Sequence, residues 1–193
     1  MQYGYFDDEK KEYVVTRPDT PRSWSNYLGS TDYGALITNN AGGYSFFKSA
    51  AQGHFTRLRA NAIPMDQPGR YVYLHDTESK DFWSTSWQPV GKSLDKYKTE
   101  CRHGSAYTII TSEYSKIKSE TKYFVPLGKE YECWLVKLTN NDSKKRSLRA
   151  FTFVEYASHW NLWMDYINLQ YTQYIVQMSV VDGIIDHCVN AFL

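Results

Sequence analysis

The chain has little of what most often announces a chemistry. Its cysteines number three, Cys101, Cys133 and Cys188, with no C-x-x-C spacing among them. That argues against a disulfide framework or a thiol-pair redox motif, and for free, partly buried thiols in a reducing compartment. Charge of one sign is also lacking: Lys plus Arg total 22 against 21 Asp plus Glu, a net charge of +1. Such a balance sets up no field to draw in nucleic acid or an anionic membrane. The longest basic cluster, Lys144-Lys145-Arg146, follows Asn140-Asn141-Asp142-Ser143 and fits a solvated hairpin tip. No apolar run approaches the length of a membrane span. The opening residues, MQYGYFDDEK, are acidic where a secretory leader would be basic and then apolar. A cytoplasmic protein with neither membrane nor nucleic acid as partner is expected.

Site motifs are equally sparse. The one adjacent glycine pair, Gly42-Gly43, lies between two strand-like runs. Phosphate cradles instead need a glycine-rich turn opening a helix. His54, His75, His103, His159 and His187 show no ligand spacing, so no metal site is expected. No serine sits in G-x-S-x-G. Paired carboxylates are the usual tool for glycosidic bonds, and Asp7, Asp8, Asp32, Glu155 and Asp165 are candidates by type, yet none forms an assignable pair. Asp7-Asp8-Glu9 has the composition of an exposed tip. Glu155 shares a face with Phe151 and Phe153, which suits a partly buried structural acid.

What is abundant is aromatic: 17 Tyr, 9 Phe and 6 Trp make 17% of the residues. Strands favour these rings. So do sugar sites, where a flat ring packs on the C–H face of a pyranose. The dominant period is two. In GRYVYLHD (69–76), Arg70, Val72 and Leu74 alternate with Tyr71, Tyr73 and His75. The runs 131–142 and 146–157 alternate on either side of an Asn-Asn-Asp tip, which predicts an antiparallel hairpin. Similar runs occupy 12–16, 34–38, 44–48, 55–59, 106–111 and 116–125, separated by turn compositions such as NNAGG and DQPG. From 173, QYIVQMSVVDGIIDHCVNAFL predicts strand, Asp-Gly turn, strand. About ten strands without a convincing amphipathic helix predict an all-β protein, a large antiparallel β-sandwich. Residues 1–193 are expected to form one such domain, truncated at its C-terminal end.

The stretch SHWNLWMDYINLQYTQYIV (158–176) stands apart, with rings and amides and a single charge. Trp160, Trp163 and Ile167 have the spacing of a buried helical stripe. Alternatively, the amides and rings line a site for something rich in hydroxyls, since an Asn or Gln offers a donor and an acceptor to a vicinal diol.

Taken together, YGYFDDEKKEYVVTRPDTPRSWSNYLG, GALITNNAGGYSFFKSA, FTRLRANAIPMDQPGRYVYLHD, DFWSTSWQPVGKSLD, CRHGSAYTII, YFVPLG and LRAFTFVEYA resemble the start of the inverting disaccharide phosphorylases. These are the cellobiose, chitobiose and laminaribiose enzymes of glycoside hydrolase family 94, formerly glycosyltransferase family 36. The resemblance covers nearly the whole chain. It implies an N-terminal β-sandwich domain, followed in the family by an (α/α)6 barrel that carries the catalytic aspartate. By that implication this stretch holds no catalytic residue and is inactive alone. The full-length homodimer would convert a β-linked disaccharide and inorganic phosphate, the co-substrate, into an α-sugar 1-phosphate and a free sugar. No cofactor is implied. Residue by residue, Trp160, Asn161, Asp165, Asn168 and Gln170 match a family stretch near the active-site mouth. This implies an acceptor-side sugar contact for Asn161, Asp165, Asn168, Gln170 and Tyr171. Tyr171 stands where cellobiose phosphorylases carry arginine, which points away from cellobiose. Arg102-His103-Gly104 also matches and has the look of a strand-edge turn. A non-catalytic carbohydrate-binding module and a dimerisation domain are the alternatives.

Overall fold

The computed structural model of the chain describes residues 2–29, 31–59, 67–168 and 173–190. Among these residues are fourteen strands, one short α-helix and one turn of 3-10 helix (Gln173–Ile175). Six strands form the larger antiparallel sheet: β1 (Gly4–Asp7), β2 (Glu12–Val15), β8 (Lys98–His103), β9 (Tyr107–Tyr114), β10 (Ile117–Phe124) and β11 (Cys133–Asn140), neighbours in that order. Two three-stranded sheets cover it. One is β3 (Ser25–Gly29), β4 (Tyr33–Thr38) and β5 (Gly43–Phe47). The other places β6 (Tyr71–Asp76) between β12 (Leu148–Phe153) and β7 (Phe82–Ser84). Among the described residues, strands β13 (Val176–Val181) and β14 (Ile184–Val189) pair only with each other. All pairings are antiparallel, as a sandwich reached through hairpins requires.

The period-two pattern decides which side chains enter the core. On β9, Thr108, Ile110 and Ser112 point inward, and on β10 Ile117, Ser119, Thr121 and Tyr123 do. Register sets Ile110 against Thr121 and Ser112 against Ser119. The latter two satisfy one another by a buried 2.7 Å hydroxyl pair. The first core cluster joins Ile110, Tyr123 and Cys101 of the large sheet to Leu28, Ala35 and Ile37 opposite. The second joins Ile117 to Leu74, Trp83 and Tyr97. All three cysteines are free, Cys101 buried and Cys188 exposed.

Several expectations hold locally. NNAGG turns β4 into β5 with Ala41 and Gly43 at positive φ. A Cβ on Gly43 would lie 2.1 Å from the Leu36 carbonyl oxygen. Asp182-Gly183 sits at φ 52° and 78° between β13 and β14, a two-residue turn whose twist suits a hairpin. Residues 8–11 turn β1 into β2, although Asp7 itself pairs with Arg102 at 3.1 Å. The 102–104 reading holds only at its last residue: Arg102 and His103 are paired on both sides within β8, and the turn begins at Gly104, whose N–H donates to the Tyr107 carbonyl at 2.9 Å.

Others fail. The runs 131–142 and 146–157 are not a hairpin. β11 pairs along its whole length with β10, placing Lys137 across from Glu120, whereas β12 pairs with β6. The tip between them instead carries the chain from one layer to the other. Arg146 is therefore not solvated: its guanidinium is fastened to Asp76, and it reaches Asp142 at 3.4 Å. Residues 55–59 make an isolated bridge, Thr56 to Tyr156, rather than a strand. A helix does form, α1 (Leu162–Ile167), inside the aromatic stretch. No helix among the described residues is long and apolar enough to cross a membrane.

Candidate functional site

Six residues are too few for a helix to persist on its own local energetics, so α1 must be held by what surrounds it. Asn161 caps its N-terminus in extended backbone, its Oδ1 accepting the Met164 N–H at 2.9 Å. The Asn161 amide also donates to Gln52 at 2.9 Å. At the other end the Asn168 N–H donates to the Met164 carbonyl at 3.0 Å. The approach to the helix is laced to 51–57 by backbone bonds: Arg57 to Glu155, Ala157 to Phe55, His54 to Trp160 and Leu162 to Ala51. His54 is buried and donates its Nε2 proton to the His159 carbonyl at 2.8 Å, while Nδ1 has no hydrogen-bond partner. Burial holds this imidazole below its usual range, against the pull of Asp165.

Beneath α1 lies an ion cluster. The Arg57 guanidinium donates to both carboxylate oxygens of Asp165, at 3.3 and 3.4 Å, and to Ser158 Oγ at 2.5 Å. It also donates to Glu155, which in turn accepts from Arg59 at 2.7 Å. Asp165 takes the Ser158 backbone N–H at 2.8 Å. Burial alone would lower the Arg57 pKa. The hydrogen bonds and charges of Asp165 and then Glu155 outweigh it and hold the guanidinium charged. The expected structural role of Glu155 fits this placement.

The outward face of α1 is a different surface. Trp160 is 57% exposed and Trp163 65% exposed, so the spacing that predicted a buried stripe marks an outward one. The rings of Trp163 and Tyr166 lie 5.9 Å apart and tilted by 42°. Asn168 is exposed beside them. Of the sequence-derived site residues, Asn161 and Asn168 thus flank one aromatic turn. Asp165 is only 3% exposed, and its carboxylate faces Arg57 and not solvent. Gln170 and Tyr171 lie outside the described residues.

A second feature adjoins the first. A cleft of about 540 Å³ is walled by Phe55, Trp134, Phe153 and Tyr156, with Glu132 at its base. That carboxylate accepts from Arg70, from Trp134 Nε1 at 2.6 Å, from Tyr33 OH at 3.0 Å and from Ser45 Oγ at 2.8 Å. Burial would raise its pKa, but the Arg70 charge and these donors hold it down. A general acid at neutral pH needs the opposite displacement. Glu12, Asp76, Asp81 and Asp142 are held down as well. Among the described residues no group of three or more His, Cys, Asp or Glu is placed to hold a metal ion.

Arg57, Ser158, Arg70 and Glu132 escaped the sequence reading. The available signal was charge inside strand-like runs: Arg57 in FTRLR and Arg70 in GRYVY are inward-facing cations that demand a buried partner. Their partners lie 108 and 62 residues away and could not be named from spacing.

Two facing antiparallel layers, buried ion pairs and a projecting ring-and-amide turn make a β-sandwich scaffold with a displayed aromatic surface rather than a complete active site among the described residues. The chain matches the profile of the family described as Glycosyl hydrolase 94, supersandwich domain, over residues 11–189, and it belongs to that family. It is 43% identical over 188 residues to an N,N'-diacetylchitobiose phosphorylase of Vibrio proteolyticus, covering 97% of this chain and 23% of that protein. The corresponding enzyme of Vibrio furnissii is 41% identical over the same shares. A solabiose phosphorylase of Paenibacillus borealis is 26% identical over 181 residues, covering 93% of this chain and 23% of the relative. The chain thus spans about a quarter of the length of these relatives.

Proposed function

We propose that the chain is the N-terminal domain of an inverting phosphorylase of a β-linked disaccharide, a glycosyltransferase that releases an α-sugar 1-phosphate and a free sugar. The observation that carries this reading is its 43% identity, across 97% of its length, to an N,N'-diacetylchitobiose phosphorylase. The chemistry fits a domain without its own proton donor. Phosphate is a competent nucleophile, so no carboxylate is needed to activate water, and one acid elsewhere in the polypeptide protonates the departing sugar oxygen. The domain supplies a face to the pocket: Trp163, Tyr166 and Asn168, followed by Gln170 and Tyr171, toward the acceptor sugar. The working enzyme is a cytoplasmic homodimer with phosphate as co-substrate and no cofactor.

The test is phosphorolysis. The intact polypeptide that carries this domain is incubated with phosphate and N,N'-diacetylchitobiose, cellobiose or laminaribiose, and sugar 1-phosphate is assayed. Turnover of one of them is expected, with residues 1–193 alone inert. Turnover by the domain alone would overturn the reading. The exposed Trp160 and Trp163 favour one rival, a free-standing carbohydrate-binding module. Calorimetric binding of oligosaccharides to the isolated domain, at millimolar affinity or tighter, would support the rival instead.

A further inference from the structure

We infer that Asp165 acts as a positioning residue: paired with Arg57, it clamps α1 so that the rings and the Asn168 amide on its outer face are held ready for a saccharide. This rests on the phosphorylase reading above and deepens it.

Geometry separates the two sides of the helix. On the inner side Asp165 is buried, gripped by the Arg57 fork and by the Ser158 N–H. On the outer side Trp163 is exposed and Tyr166 is partly so. A helix this short has no rigidity of its own. Its orientation is set by its fastenings, and Asp165 is the charged one within the helix itself. Arg57 in turn is fixed at its backbone, whose N–H donates to the Glu155 carbonyl at 2.8 Å, and at its guanidinium by Glu155 and Ser158. A planar fork meeting a carboxylate along two bonds restricts rotation as well as distance. A rigid support of this kind is what a binding surface of rings and amides needs, because small displacements of a positioning element have large consequences.

The outer face carries no cation. α1 has no basic residue in its last turn, and its exposed side chains are rings, Ile167 and the Asn168 amide. Such a surface offers hydroxyl-matching donors and stacking faces but nothing for a phosphate dianion. Loosening the clamp should therefore weaken saccharide binding and spare phosphate binding.

The test is Asp165→Asn in the intact polypeptide. The amide keeps an acceptor for the Ser158 N–H and leaves Glu155 as counter-charge to Arg57. Kinetics are run with each substrate varied in turn, and amide hydrogen exchange is followed across 162–168. We expect KM for the saccharide to rise about tenfold while KM for phosphate moves less than about twofold. Exchange should quicken in 162–168 and stay slow in β9 and β10. A folded variant with unchanged saccharide KM, or one in which both KM values rise together, overturns the inference. Should Asp165→Asn fail to fold, Ser158→Ala removes the single hydroxyl bond to Arg57 and leaves both of its carboxylate partners in place. It should give the same one-sided change at about threefold, and its absence is equally fatal. A wild-type protein silent toward every disaccharide sinks the phosphorylase reading instead. Hydrogen exchange then still reports on the clamp.

Discussion

Two antiparallel hairpins in this molecule have much the same local pattern and opposite fates. β9–β10 seals Ile110, Thr121 and Tyr123 almost completely, even though it is rich in hydroxyls. β13–β14 is the more apolar of the two and leaves Val180 71% and Ile184 70% exposed. Both turn through two residues at positive φ. The difference is the partner: β9–β10 lies inside a six-stranded sheet under two covering sheets, while β13 and β14 pair with no other strand among the described residues. Alternation makes a strand, but burial requires a facing layer, and this ribbon meets the rest of the chain only in part, as where His187 stacks on Tyr156 at 4.8 Å, so Val180 and Ile184 stay exposed. The same contrast explains why the aromatic turn at 160–168 presents its tryptophans outward while its one acid is inside.

The largest loss is expected at the buried ion pair between the layers, Arg70 with Glu132. Arg70→Ala leaves Glu132 in the interior without its counter-charge, and the loss should be about 3–5 kcal/mol, enough to abolish folding of a marginal domain. Urea unfolding measures it. A loss under about 1 kcal/mol would mean that this pair does not join the layers.

Acid should act next, through imidazoles shielded from water in whole or in part. His103 is neutral, with Nε2 donating to the Trp24 carbonyl and Nδ1 accepting from Thr108, and burial holds its pKa down at about 4 against an ordinary 6.5. Above 6.5 neither the folded nor the unfolded chain carries this proton. Between 6.5 and 4 the unfolded chain binds it and the folded chain refuses it, so stability falls as pH falls, by up to about 3 kcal/mol. His54 and His187, also held down by burial, add the same sign. Unfolding midpoints from pH 7.5 to 4.5 should slope accordingly, and His103→Gln should flatten the slope. An unchanged slope in the variant would exclude His103 as its source.

The smallest effect belongs to the exposed ribbon. Val180→Thr and Ile184→Thr keep a branched side chain and remove apolar surface that water already reaches. In the 193-residue chain each should change stability by less than about 0.5 kcal/mol. Ile110→Thr, by contrast, should cost several times more by burying a second polar group among apolar neighbours. Equal effects at the three positions would erase the contrast between the hairpins.

Legibility followed range. The Asp-Gly turn at 182–183 and the NNAGG turn could be read because a few adjacent residues dictate their backbone. The supposed hairpin around 140–146 misled because its composition is that of a tip. The competing alignments, β11 on β10 and β12 on β6, are decided by residues that spacing does not connect. In the aromatic stretch, helical spacing was visible but its direction was not. Which side of α1 faces inward depends on Arg57, 108 residues from Asp165.

By itself the sequence determined most of the strands, several of their turns, the free thiols and the family, because these follow from neighbour-scale sterics and from strings of residues in order; the strands at 25–29, 82–84 and 98–103 went unread. Only the tertiary structure decided which strands share a sheet, which rings meet water and which acid is fastened beneath the helix. Those outcomes turn on contacts between residues distant in the chain, where burial and charge pairing outweigh any local preference.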